Sequence, residues 1–332
     1  MTRPWSPGSV TGIGSFPGTD PVEACRLTFG ELPEFPHLPE LPERGVGAGL
    51  TGRGVALLVD LPAEIVASGW RMAARPGRDV RAAQDLLQRD LDALESVAAN
   101  HVGPLKVQAP GPWTLAATVE VHTGHRMVSD PGATRELAQS LTEGLRLHLD
   151  DVQRRVPGAT LVLQLDEPAL PAVLAGQLPT ASGWGTIRSV AAQLVSETLT
   201  EVLSAAPAGS RVVHCCASDV PIALLREAGV DAIALDAALL TTSHTDAIGE
   251  SIDAGLSLWL GVLPSTDQAI TREGALAPIR RLWTELGFSA DMLATSIVPT
   301  PACGLAGASP AYVRRALGLL REAGQELLEQ SG

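Results

Sequence analysis

Short, nearly unbroken apolar runs alternate with longer amphipathic stretches along the chain, eight times over. The runs are 9–16 (SVTGIGSF), 56–60 (ALLVD), 105–109 (LKVQA), 160–165 (TLVLQL), 211–216 (RVVHCC), 232–236 (AIALD), 257–263 (SLWLGVL) and 295–299 (TSIVP). Continuous apolar runs, rather than strict alternation, are what parallel strands buried on both faces require. Between them lie helical patterns at 79–100, 133–156, 187–206 and 220–229, and a closing one at 310–330. Eight strand-then-helix units predict an α/β protein of the (β/α)8 TIM-barrel type, whose usual size is about 250 residues or more. No Ser/Gly linker or charge block divides the chain, so residues 1–332 are expected to form a single domain. A doubly wound sheet would want a complete G-x-G-x-x-G after the first strand, and GIGSFPG at 12–18 supplies only the first half.

The polar residues of these runs collect at their C-terminal ends, where barrel enzymes build their sites. Ser15 lies at the end of run one, Asp60 ends run two, and Asp166 and Glu167 follow run four. His214 and Cys216 end run five, Asp236 ends run six, and Cys303 follows run eight. In a strand, residues i and i+2 share a face while i+1 points away. His214 and Cys216 can therefore serve one ion together, with Cys215 turned to the opposite layer. Two thiolates and an imidazole suit Zn²⁺ far better than Mg²⁺ or Ca²⁺. Asp236 is either a further ligand or the cap of the element that follows it.

Asp166 and Glu167 place two carboxylates where Pro168 stops a strand. One is expected to meet a substrate ammonium, while the other orients a ligand or caps a helix. The turn GSFPG (14–18) offers backbone N–H groups to a carboxylate. Trp113 either stacks on a ligand or anchors the core. His122 and His125 have only their i,i+3 spacing to suggest a metal.

Composition excludes several classes. The net charge is −13, from 37 acidic against 24 basic residues, and no basic run is present to cradle nucleic acid. Lys106 is the only lysine, a bias that reads as composition rather than function. Four cysteines do not make a disulfide framework in a chain of 332 residues. The first residues lack the apolar core of a signal peptide and no run is long enough to span a membrane, so a cytoplasmic protein without membrane partners is expected. There is no G-x-S-x-G elbow and no Walker loop.

Taken in order, these motifs resemble the C-terminal catalytic barrel of cobalamin-independent methionine synthase, in the superfamily shared with uroporphyrinogen decarboxylase. TGIGSFPGTDP (11–21) is similar to that family's IGSFP element and LQLDEPAL (163–170) to its DEPA element. VVHCCASD (212–219) and PTPACGLAG (299–307) resemble its zinc-binding elements. The resemblance implies a zinc-dependent S-methyltransferase that converts homocysteine to methionine, with His214, Cys216 and Cys303 as zinc ligands. Asp236 falls where the family has a glutamate ligand. The resemblance also implies that Asp166 binds the amino group of homocysteine, that Gly14 and Ser15 bind its carboxylate through the backbone, and that Asp60 falls near a second amino-binding carboxylate. The family's histidine-bearing D-I-H-S loop reads GVLPSTD (261–267) here, and an Arg-Cys folate segment has no counterpart. The methyl donor is thus open between methyltetrahydrofolate and a methylated corrinoid protein, and the corrinoid fits the missing folate elements better. A methyltransferase for another thiol, or a non-catalytic zinc- or corrinoid-binding barrel, are the alternatives.

Overall fold

A computed structural model of the protein describes residues 3–331. Its frame is a six-stranded parallel sheet formed by β3 (Gly103–Pro110), β4 (Ala159–Asp166), β5 (Arg211–Cys215), β6 (Ala232–Asp236), β7 (Ser257–Leu263) and β8 (Ile297–Pro301). The strands lie side by side in chain order, as right-handed strand–helix–strand connections produce. A small antiparallel hairpin, β1 (Ala63–Val66) with β2 (Gly69–Met72), precedes them. The six runs expected from residue 105 onward fall on β3 to β8.

The first two runs do not form strands. Residues 9–16, rich in Gly, Ser and Thr, are extended but make only an isolated parallel bridge, Ser15 to Glu40. ALLVD is not a strand at all. Its first two residues complete the helix Leu50–Leu57 and the rest run into a bend, with Ala56, Leu57 and Leu58 buried and Val59 half-buried. A short apolar run carries no periodicity that separates strand from buried helix. The sheet is instead extended beyond β3 by residues 36–40: Leu38 N–H donates to the Lys106 carbonyl at 2.9 Å, and Lys106 N–H to the Pro36 carbonyl at 3.0 Å. Pro36 and Pro39 have no N–H to give, which hides this segment among loops when the sequence is read.

Helices cover the outer face of the sheet. Arg78–Ala98, Pro131–Arg155, Ala192–Leu203, Arg272–Leu286 and Pro310–Gln330 are the long ones. The last buries Val313, Ala316, Leu317, Leu320, Ala323 and Leu327, spaced at three and four residues. Each such leucine contributes roughly 1.5–3 kcal/mol. Asp130 caps the second helix by accepting from Gly132 and Ala133 N–H, with Pro131 pre-set at its first position. Inside the curl of the sheet a separate cluster joins Trp5, Ile13, Phe35, Val162, Val212, Ala234, Trp259 and neighbours. Trp5 stacks on Phe35 at 5.9 Å and meets Trp259 edge-on at 5.3 Å. This aromatic plug gives the strands a rigid floor, and the C-terminal strand ends rise above it.

Candidate active site

Strand alternation sets the first part of the site. Along β5, Val212 joins the interior cluster, and His214 and Cys216 line a cavity, while Val213 and Cys215 turn outward into the main core. Cys215 has no exposure, and burial pushes its thiol up to about 12, as for a structural apolar residue. Cys303 enters from the loop after β8, and its Sγ lies 3.5 Å from Sγ of Cys216.

One ligand atom from each of His214, Cys216 and Cys303 lies within 4.8 Å of the other two. With one proton between the sulfurs, the bond from Cys216, ahead of the nearby His214, draws the Cys303 thiol down to about 4. The bond to Cys303, then burial, drives the Cys216 thiol strongly up. His214 is buried, yet neither ring nitrogen completes a hydrogen bond among the described residues. A buried imidazole without partners is costly unless something else occupies its nitrogens. The donor set suits zinc: tetrahedral Zn–S bonds of about 2.3 Å separate two sulfurs by roughly 3.8 Å. Three protein donors leave one position open, the pattern of catalytic rather than structural zinc sites.

The cavity measures about 190 Å³, below the roughly 300–1,000 Å³ of drug-sized pockets and suited to an amino-acid-sized ligand. Gly14, Ser15, Glu40 and Asp166 line the same cavity, Asp166 in register beside His214 and the Ser15 carbonyl accepting the Leu305 N–H of the Cys303 loop at 2.7 Å. Among the described residues, neither the Gly14 nor the Ser15 N–H has an acceptor. Asp166 accepts a hydrogen bond from Gln164 at 2.7 Å. Burial raises its carboxyl to about 7, with His214 opposing and Glu40 reinforcing the shift. Glu40 is tied to Arg53 at 3.0 Å, and Arg53 in turn to Asp90 at 2.5 Å, in a buried ion-pair chain. Below them Lys106, wholly buried, donates to the Ile13 carbonyl at 2.6 Å and the Gln108 side chain at 3.2 Å. Burial presses its ammonium down to about 7, although Asp166 and Glu40 favour the charge.

Three expected site residues lie elsewhere. Asp236 stands outside the His–Cys–Cys group; its carboxylate accepts the Ala238 N–H at 2.9 Å and caps the 3₁₀ turn Ala237–Leu239. Asp60 is exposed in the bend after Leu50–Leu57, at φ 56°, and does not line the cavity. Glu167 turns away from the cavity and caps the helix Pro112–Thr118, accepting from Trp113 N–H at 2.9 Å, Thr114 N–H at 2.8 Å and the Thr114 hydroxyl at 2.7 Å. Burial lifts its carboxyl to about 7 against those donors. Trp113 is a core anchor, 1% exposed, with Nε1 donating to the Val195 carbonyl. His122 and His125 are exposed and join no metal-competent group among the described residues.

Sequence reasoning missed Glu40 and Lys106. Glu40 ends PHLPE, whose polar end mirrors the strand ends elsewhere, and a lone lysine inside an apolar run was the signal for Lys106. A larger cavity of about 780 Å³, between Pro131–Arg155 and the segment 180–201, shares no lining residue with the one described.

A parallel α/β frame that gathers an imidazole, two thiols and a carboxylate at the C-terminal ends of its strands, with a second carboxylate from the flanking segment 36–40, defines an enzyme built for thiol chemistry. The family model described as "Cobalamin-independent synthase, Catalytic domain" matches residues 9–326, and the chain belongs to that family. It is a methyltransferase of that family. A B12-independent methionine synthase from Shewanella sp. W3-18-1, solved in complex with selenomethionine, superposes with a TM-score of 0.60 at 15% identity over 98% of each chain, a likeness of fold. GH5_18 from Streptomyces cattleya, in complex with GlcNAc, aligns at 12% identity and a TM-score of 0.45 over 99% of this chain and 81% of its own, too remote to carry an inference. Among curated proteins no relative matches. Among the described residues no helix is long and apolar enough to cross a membrane.

Proposed function

We propose that the chain is a zinc-dependent S-methyltransferase that moves a methyl group onto the thiol of homocysteine and releases methionine. The observation that carries the reading is the grouping of His214, Cys216 and Cys303 within 4.8 Å in a cavity that Asp166 and Glu40 also line. His214, Cys216 and Cys303 would hold a zinc ion, whose chemistry would supply ionisation of the substrate thiol at neutral pH, where a free thiol of pKa about 8.5 is mostly protonated.

The chain's own groups orient the rest of the molecule. Asp166 and Glu40 face the cavity as acceptors for the substrate ammonium, and the free Gly14 and Ser15 N–H groups are donors for its carboxylate. Glu40 takes the role first expected of Asp60. Clamping the amino-acid end fixes the sulfur for in-line attack on the methyl carbon, an advantage of several kcal/mol in well-oriented systems. The sulfur–carbon bond forms as the methyl–donor bond breaks, and the thiol proton leaves to solvent. The donor in this reading is a methylated corrinoid or methyltetrahydrofolate.

The scaffold we infer is one eight-position barrel domain in which the extended segments 9–16 and 36–40 stand in for the first two strands. The Glu40 bonds to the Gly14 carbonyl and from the Phe16 N–H, with the Leu305 N–H donating to the Ser15 carbonyl, support that closure. Free thiols at the site favour a reducing, cytoplasmic setting.

The test loads the purified protein with zinc and supplies homocysteine with either methylcobalamin or methyltetrahydrofolate. About one zinc per chain and methionine formed from one donor support the reading. A protein that binds no zinc under reducing conditions would sink it. Zinc-loaded protein that methylates other thiols in preference to homocysteine would reassign the substrate.

A further inference from the structure

We propose that Lys106 is a positioning residue for the amino-acid end of the substrate: from beneath the cavity, its ammonium fixes the peptide that presents the Gly14 N–H. The inference rests on the cavity taking an amino-acid thiol, as proposed above.

Lys106 lies in mid-β3, paired in register with Val162 of the interior cluster, and has no exposure. Its ammonium meets only neutral oxygens among the described residues, the Ile13 carbonyl and the Gln108 carboxamide. Asp166 and Glu40 favour this charge but neither bonds it; a buried ammonium held directly by neutral groups alone is expensive, and an apolar side chain would satisfy the packing of this position better. Such a local conflict, at a site the fold does not require to be charged, points to function.

Trans peptide geometry supplies the link. The described chain holds no cis peptide bond, so the Ile13 C=O and the Gly14 N–H of the same unit point in opposite directions. Lys106 and Gln164 Nε2, the latter at 2.9 Å, both pull that carbonyl inward. The Gly14 N–H is thereby turned away from the barrel interior, on a residue that lines the cavity.

The same ammonium reaches the other two walls. Gln108, which accepts from Lys106, donates to the Leu38 carbonyl two residues before Glu40. It also packs so close to Gly14 that a Cβ there would sit 2.9 Å from its Cγ. Gln164, which shares the Ile13 carbonyl, donates to Asp166. One buried lysine therefore ties together residues 13–15, 38–40 and 164–166, and none of these bonds touches His214, Cys216 or Cys303.

The discriminating experiment compares wild type, Lys106→Met and Gln108→Met, each loaded with Co²⁺ in place of zinc. The thiolate-to-cobalt absorption is titrated with L-homocysteine and with 2-mercaptoethanol, a thiol without the amino and carboxylate groups. Both variants are expected to hold about one cobalt per chain. Homocysteine binding should weaken by roughly 30-fold or more in Lys106→Met and 10-fold or more in Gln108→Met, with mercaptoethanol changed less than about threefold. Equal weakening of both thiols, or retention of the homocysteine preference, would overturn the role of Lys106. Absence of that preference in wild type would overturn the reading of the cavity as well. Should Lys106→Met fail to fold, Gln108→Met decides by the same ratio.

Discussion

The two walls of the cavity are built by different means. The wall of His214, Cys216 and Cys303 sits on the ends of β5 and β8, where strand alternation alone aims the side chains. The second wall, Gly14, Ser15 and Glu40, belongs to segments that are not strands, held by side chains buried beneath them, and is completed by Asp166 from the end of β4. Donors for a metal need only proximity and the right chemistry, which a regular ladder supplies. Recognition of an amino acid needs free N–H groups and a carboxylate aimed at one point, and irregular backbone supplies these because its own hydrogen bonds are not consumed by a ladder.

If the walls divide the work in this way, their variants must fail differently. Cys216→Ser and Cys303→Ser should abolish metal binding and lower turnover by at least on the order of 10³, since thiol ionisation and placement are lost together. Metal analysis beside a methyl-transfer assay checks this, and activity that survives without metal would erase the distinction. Asp166→Asn should keep the metal while homocysteine binds about 10- to 100-fold more weakly, the loss of a charge-assisted hydrogen bond. Calorimetric titration reads it, and metal lost along with affinity would mean that the walls act as one.

The seam offers a sharper test. A Cβ on Gly304 would fall 1.9 Å from Ser15 Oγ and 3.3 Å from its backbone nitrogen, so Gly304→Ala must swing the Ser15 hydroxyl away and press the Cys303 loop against the Ser15 turn. We expect a cost of about 1–3 kcal/mol in stability, with weaker binding of both metal and homocysteine. Denaturant unfolding and parallel titrations would expose an effect confined to one wall. The smallest change is expected for Asp236→Asn: unaltered metal content, and at most about 1 kcal/mol lost from the cap on Ala237–Leu239. Loss of metal in this variant would restore Asp236 as a ligand.

The same contrast explains what was legible in the sequence. His214 and Cys216 could be assigned to one face because a period of two needs no tertiary information. Six of the eight apolar runs became strands, each followed by a helix that packs over the sheet. Asp60 misled because ALLV suits a buried helix end as well as a strand. Glu40 stayed hidden because Pro36 and Pro39 disguise an extended segment as a loop. Asp166 and Glu167 were seen together, but adjacent residues on a strand end point opposite ways. Only the position of the Pro112–Thr118 helix, distant in sequence, reveals that Glu167 is taken up by its N-terminus.

The burial of Lys106 also shapes the protein's exterior. With the only lysine enclosed, every exposed cationic side chain apart from histidine is a guanidinium. Guanidinium is charged at all physiological pH values and is not the group that acetylation or ubiquitination modifies. The folded surface is therefore inert to side-chain amine chemistry, and an amine-reactive probe that labels Lys106 would report opening of the protein interior.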